Sequence, residues 1–137
     1  MLNPFPSLLM FSFFVPTLIR LTVAAVFAYQ AIYHFKNKRA VAEEVDAKIS
    51  WLSHEGAVWG VGLLILTELA IAIALFVGAW TQFAALFAII GFTKLAFLRK
   101  KFPSYAPLPS LAYTLLIVMS ITLLVSGAGA FAFDLPL

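Results

Sequence analysis

Apolar residues fill four stretches of the chain, and polar residues gather in the connections between them. The longest stretch, Ala57 to Ala79, is apolar throughout except for Thr67 and Glu68 near its middle. At helical rise it covers about 34 Å, enough to cross a hydrocarbon core of about 30 Å. The pattern predicts spans at about residues 16–35, 57–79, 82–98 and 109–126, in one all-α domain covering 1–137: an integral membrane four-helix bundle. Pro16 suits the first turn of a helix, so residues 7–15 are expected to form a short interfacial segment. A helix that continues through a kink at Pro16 is the alternative. No Lys or Arg precedes the N-terminal apolar run and no small-residue cleavage site stands out, so this segment is expected to stay in the mature protein.

Residues 36–55 form the one substantial hydrophilic connection. Val41, Val45, Ile49 and Leu52 fall on one face at helical spacing, with Glu43, Glu44, Asp46 and Lys48 largely elsewhere. This predicts a short amphipathic helix lying on the membrane between spans 1 and 2, with Trp51 near the boundary. Such a helix serves equally as a solvated linker or a docking surface. Gly78 to Gln82 predicts a tight turn between spans 2 and 3, and FPSYAPLP a proline-rich loop before span 4. GAGAFAFDLPL then ends the last helix and leaves Asp134 in a short tail. Gly56 with Gly60, Ala24 with Ala28, and Ala70 with Ala74 have the small-xxx-small spacing that lets helices approach closely in lipid.

Composition agrees with this reading. Of 137 residues 64% are hydrophobic and only 11% charged, with a mean hydropathy of +1.04. A soluble domain carries about 25% charge, so the chain is expected in a lipid bilayer. It has no cysteine, which excludes disulfides, thiolate metal sites and dithiol redox chemistry within the chain. Lys36, Lys38, Arg39, Lys48, Arg99, Lys100 and Lys101 all fall in the first and third connections. The positive-inside rule puts those connections in the cytoplasm and both termini on the other side. The net charge of +3 comes from these orienting residues and is no sign of a nucleic-acid partner.

Charges inside spans are the candidates for chemistry. A carboxylate near mid-membrane costs on the order of 2.5–3.5 kcal/mol on insertion scales, so Glu68 should face protein, carry a proton or have a cationic partner. Arg20 and Lys94 compete for that role. Arg20 is favoured by a continuous first helix, Lys94 by a helix that starts at Pro16; in the second case Asp134 is the natural partner of Arg20. These four residues form either a buried ion network that fixes the helices or a proton or quinone site. Gln30 and His34, four apart on one helix, and Tyr33 beside them are candidate contacts for a polar ring such as a quinone head group. His34 and His54 near one boundary would suit a bis-histidine haem, but two histidines in a chain of this length need no such cause. No metal-ligand spacing, phosphate loop or nucleophile triad is present, and no catalytic residue can be assigned.

The run LIRLTVAAVFAYQAIYHF, the stretch from Glu68 through LAIAIALFVGAWTQFAA, and LLVSGAGAFAFDL resemble the DoxX family of small four-span bacterial membrane proteins. The resemblance rests on Arg20, Glu68, Gly78, Thr81, Ala84, Ala85, Gly127, Gly129 and Asp134. Ala31, His34, Ala72 and Gln82 depart from the family's usual Gly, Lys, Gly and Arg. The resemblance implies the bacterial inner membrane. It also implies association with other membrane subunits, since some relatives are linked to thiosulfate:quinone oxidoreductase or to membrane redox assemblies. The absence of a cofactor motif favours an accessory subunit over a self-sufficient enzyme, with no intrinsic cofactor, quinone as the candidate ligand and haem disfavoured. A quinone-interacting oxidoreductase subunit is the second reading and a small transporter the third. The short chain, without an inverted repeat, argues against transport.

Overall fold

The computed structural model describes residues 14–49 and 53–127. They form five α-helices and one 3-10 turn: α1 Phe14–Lys36, α2 Lys38–Lys48, α3 His54–Val77, α4 Thr81–Leu98, the 3-10 turn Pro103–Tyr105, and α5 Ser110–Ser126. No described residue is in a strand. Helices α1, α3 and α4 are long and apolar enough to cross a membrane; α5 is apolar and shorter, at 17 residues. Most of the expected interfacial segment, Trp51 and Asp134 lie outside the described residues.

Pro16 falls in the first described turn of α1. At the far end the amide N–H and side-chain amide of Asn37 both reach Tyr33 O, at 3.0 and 2.9 Å, and Val41 N–H returns to Asn37 O. A side chain competing for a helix carbonyl bends the rod without ending it. Thus α1 and α2 follow one another end to end.

The amphipathic helix does not lie flat. Lys38 reaches the level of Gly62, where its Nζ comes within 3.6 Å of the position a Cβ would take, while Asp46 meets His54 at 3.2 Å. As residue number rises along α2 it falls along α3, so α2 runs antiparallel beside the first half of α3. Val41 and Ala42 are buried there. The physical reason is that an apolar face finds a helix partner in α3 more readily than it spreads on a surface.

Local chemistry sets the other ends. Ser53 caps α3, its Oγ accepting from Gly56 N–H at 3.2 Å, with Glu55 in the positive first turn. Gly78 closes α3 in the left-handed region at φ 74°, and Ala79 N–H returns to Ala74 O at 3.1 Å. Trp80, also left-handed at φ 52°, turns the chain into α4.

In the bundle α1 packs against α3 and α5, and α4 packs against α5 while touching α3 more lightly. Lipid offers helices no hydrophobic reward for meeting, so close packing must hold them together. Ala24, Ala57, Ala72, Ala84, Ala85 and Ala88 are buried at these contacts. Of the small residues marked in the sequence, Gly60 and Ala70 are exposed. Phe27 and Phe92 stack at 4.4 Å between centroids. Large apolar residues point outward instead, among them Phe35, Phe76, Phe97 and Val125, the last 82% exposed. This inside-out distribution belongs to a protein surrounded by hydrocarbon.

Two sets of cations mark one end of the apolar zone. Lys38 lies at the level of Gly62 on α3, and Arg99 directly follows α4. Measured from the Gly78–Trp80 turn, both levels are about 24–27 Å along their helices. The first two turns of α3 and all of α2 therefore lie on the far side of these cations from the middle of the apolar zone. Glu68 lies inside it, about 9 Å from the level of Gly62.

Candidate functional site

The α1–α2 rod and α3 form a hairpin, and its geometry decides which residues face each other. Trp51 lies midway in sequence between His34 and Glu68. An antiparallel pair joined between α2 and α3 brings those two positions side by side. His34 is 0% exposed and Glu68 3% exposed, and Nδ1 of His34 stands 2.8 Å from Oε2 of Glu68.

The other ring nitrogen fixes the protonation pattern. Nε2 of His34 stands 2.9 Å from the main-chain oxygen of Tyr105. A carbonyl only accepts, so Nε2 carries a hydrogen and donates it. One further proton then lies between Nδ1 and Oε2, either on the ring, giving imidazolium and carboxylate, or on the acid, giving neutral imidazole and carboxyl. Both arrangements have no net charge, which is what a low-dielectric interior tolerates. Removing that proton leaves a nitrogen lone pair facing a carboxylate. The pair is thus built to hold one proton.

The loop that supplies the Tyr105 carbonyl is tied down from α2. Ser104 N–H donates to Glu44 Oε2 at 3.0 Å, Lys48 donates to Glu44 Oε1 at 2.8 Å, and Lys48 also bonds the Lys101 carbonyl. The Tyr33 and Tyr105 rings both lie 5.6 Å from the His34 ring. Deeper in the bundle, Gln30 Nε2 and Leu108 N–H each donate to the Tyr113 hydroxyl at 3.4 Å.

The residues singled out in the sequence divide accordingly. Neither Arg20 nor Lys94 is the hydrogen-bond partner of Glu68; His34 is. Arg20 is buried and engaged in other interactions, and it lies about 21 Å along α1 from His34, beyond the reach of Glu68. Lys94 lies within electrostatic reach of Glu68, but its ammonium rests 5.6 Å from the Tyr105 ring centroid and makes no ion pair among the described residues. Gln30 faces Tyr113, while His34 faces Glu68. His54 is 62% exposed and bonds Asp46, and both nitrogens of His34 are hydrogen-bonded. Among the described residues no group of three or more His, Cys, Asp or Glu side chains could hold a metal ion. Tyr105 and Tyr113 carried no signal in the sequence beyond being aromatic.

Two buried oxygens have no hydrogen-bond partner among the described residues, Glu68 Oε1 and Gln30 Oε1. Chemically, the site can keep a proton inside an apolar bundle and present one spare carboxylate oxygen to a donor.

The family model described as DoxX matches residues 15–100, from the first turn of α1 to just past α4. Gly127, Gly129 and Asp134 lie beyond the matched residues. Nothing among the curated proteins or the solved structures matches the chain.

Proposed function

The chain belongs to the DoxX family of membrane proteins, and from that premise we propose that it is the membrane subunit, or anchor, of a larger redox assembly, with His34–Glu68 as its proton-exchange site. The observation that supports this reading is the buried one-proton pair, 2.8 Å across and pinned at its far nitrogen by Tyr105. A purely architectural contact between two apolar helices has no need of two ionisable groups, and an apolar pair of similar volume would hold the helices at least as well. In this reading all four apolar helices span the bacterial inner membrane, the α2 end faces the cytoplasm because it carries the cations, and both termini face the periplasm. The chain is an accessory subunit, and the electrons come from a partner.

A second reading gives the site a quinone. The donor chemistry fits: Glu68 Oε1 is a buried acceptor without a hydrogen-bond partner among the described residues, and Lys94 brings a cation near the same carboxylate. A bound quinone would supply two-electron, two-proton chemistry. The chain's own part is to hold a proton on His34 and Glu68 and to keep water away from them.

The test is purification in mild detergent with identification of copurifying proteins and quinones, for the unsubstituted chain and for Glu68→Gln. An assembly that survives the substitution while its activity or quinone response disappears supports a proton site. A lone, colourless protein, or an assembly whose activity ignores the substitution, contradicts it.

A further inference from the structure

At the end of the bundle that carries the cations, α2, α3, α4 and the 3-10 turn enclose a hollow of about 250 Å³. Val45 comes from α2 and Ile49 directly follows it, Ala57, Gly60 and Val61 come from α3, Leu98 from α4, and Phe102 and Tyr105 from the loop; Lys94, on α4, is the one charged residue among the described residues of its lining. A Cβ added at Gly60 would meet nothing within 4 Å.

Its level matters. Gly60 and Ala57 lie about 3–8 Å beyond Gly62 and the Lys38 cation, on the side away from the apolar zone. Lys94 and Leu98 lie about 7 and 2 Å short of Arg99, so the hollow straddles the level of the cations, and its outer part at Ala57 and Gly60 is apolar surface beyond them, where contact with water is costly. It is also smaller than the roughly 300–1,000 Å³ of a small-molecule pocket. That size suits two or three apolar side chains presented by a helix.

Charge narrows the occupant further. Lys94 rests on the Tyr105 ring and Lys101 on the Phe102 ring, at 5.6 and 5.4 Å from the centroids, and neither makes an ion pair among the described residues. The nearby acid Glu44 is already bonded to Lys48 and to Ser104 N–H. We propose that this hollow is the docking site for an amphipathic, acidic helical segment of a partner protein, its apolar side chains in the hollow and its carboxylates on Lys94 and Lys101. This rests on the subunit reading above and gives it a contact surface.

The test uses the full chain in its native membrane, with a photo-reactive benzophenone side chain at position 49 on the rim and, as a control, at the outward-facing position 125. Expected is an adduct at position 49 that maps to one acidic amphipathic segment of one protein and is absent at 125. It should fall at least tenfold in Gly60→Phe, which fills the hollow, and in Lys94→Glu, and it should return when the mapped carboxylate is exchanged for Lys in the Lys94→Glu background. Adducts only to phospholipid, only to a second copy of this chain, or to a protein but indifferent to both substitutions overturn the proposal. Native gels separate the two levels: a large assembly without such an adduct removes the docking site and leaves the subunit reading, whereas a lone protein removes both.

Discussion

His34 and Glu68, on different helices and both almost wholly buried, meet at 2.8 Å with the far side of the imidazole bonded to the Tyr105 carbonyl. One proton between them neutralises two groups that the surrounding hydrocarbon would otherwise exclude.

Breaking the pair on either side should cost more than changing its chemistry. Glu68→Ala or His34→Ala leaves one buried ionisable group without its partner, a loss of about 3–5 kcal/mol. Glu68→Gln keeps a donor for Nδ1 of the neutral ring and should cost about 1 kcal/mol. Thermal unfolding in one detergent checks the order: Glu68→Gln close to the unsubstituted protein, both alanine variants far below it.

Removing both members should be milder than removing either one. His34→Leu with Glu68→Leu leaves no buried charge, so the double variant is expected to be more stable than His34→Leu or Glu68→Leu alone, with a coupling of about 2–3 kcal/mol. Additive losses in the same unfolding assay would mean that the two side chains act separately.

The antiparallel run of α2 beside α3 predicts proximities in a chain whose lack of cysteine gives a clean background. In Lys38→Cys with Gly62→Cys a short bifunctional thiol reagent should link the two positions. Lys38→Cys with His54→Cys, about 12 Å further along α3, should not link. A helix lying flat on the membrane gives neither product.

That relationship also explains what could be read from the sequence. The four apolar stretches and their turns were legible because lipid demands long apolar helices and glycine marks the α3–α4 turn. Glu68 stood out as a charge in such a stretch. Its partner did not, because treating residues 36–55 as a connection lying flat puts His34 at the boundary and Glu68 deep in the membrane. Continuing α1 into α2 moves the hairpin turn to the connection between α2 and α3 and lines up positions 34 and 68. Tyr105 was illegible for another reason: its contribution is a main-chain carbonyl, which any residue carries.

Glu44 should act on the site at a distance. It holds the Ser104 amide and Lys48, and through them the loop that presents the Tyr105 carbonyl. Glu44→Ala is expected to raise amide exchange across residues 99–109 while leaving α3 and α5 protected, with an overall cost of about 1–2 kcal/mol. Unchanged exchange in that loop would remove Glu44 as its anchor.

Gly78 closes α3 with a positive φ. Gly78→Ala should destabilise the bundle by about 1–2 kcal/mol, read as a lower unfolding temperature with unchanged helix content. A neutral outcome would mean that the turn tolerates another conformation.

The most direct measurement is the protonation state of the His34 ring. The chain has two histidines, so ¹⁵N-histidine labelling of the His54→Asn variant in lipid nanodiscs leaves one imidazole to observe. The expected spectrum keeps a hydrogen on Nε2 at every pH at which the protein is folded, and in Glu68→Gln an Nδ1 without hydrogen. An Nε2 without hydrogen, or an Nδ1 that keeps its hydrogen in Glu68→Gln, would show that the two residues do not share a proton.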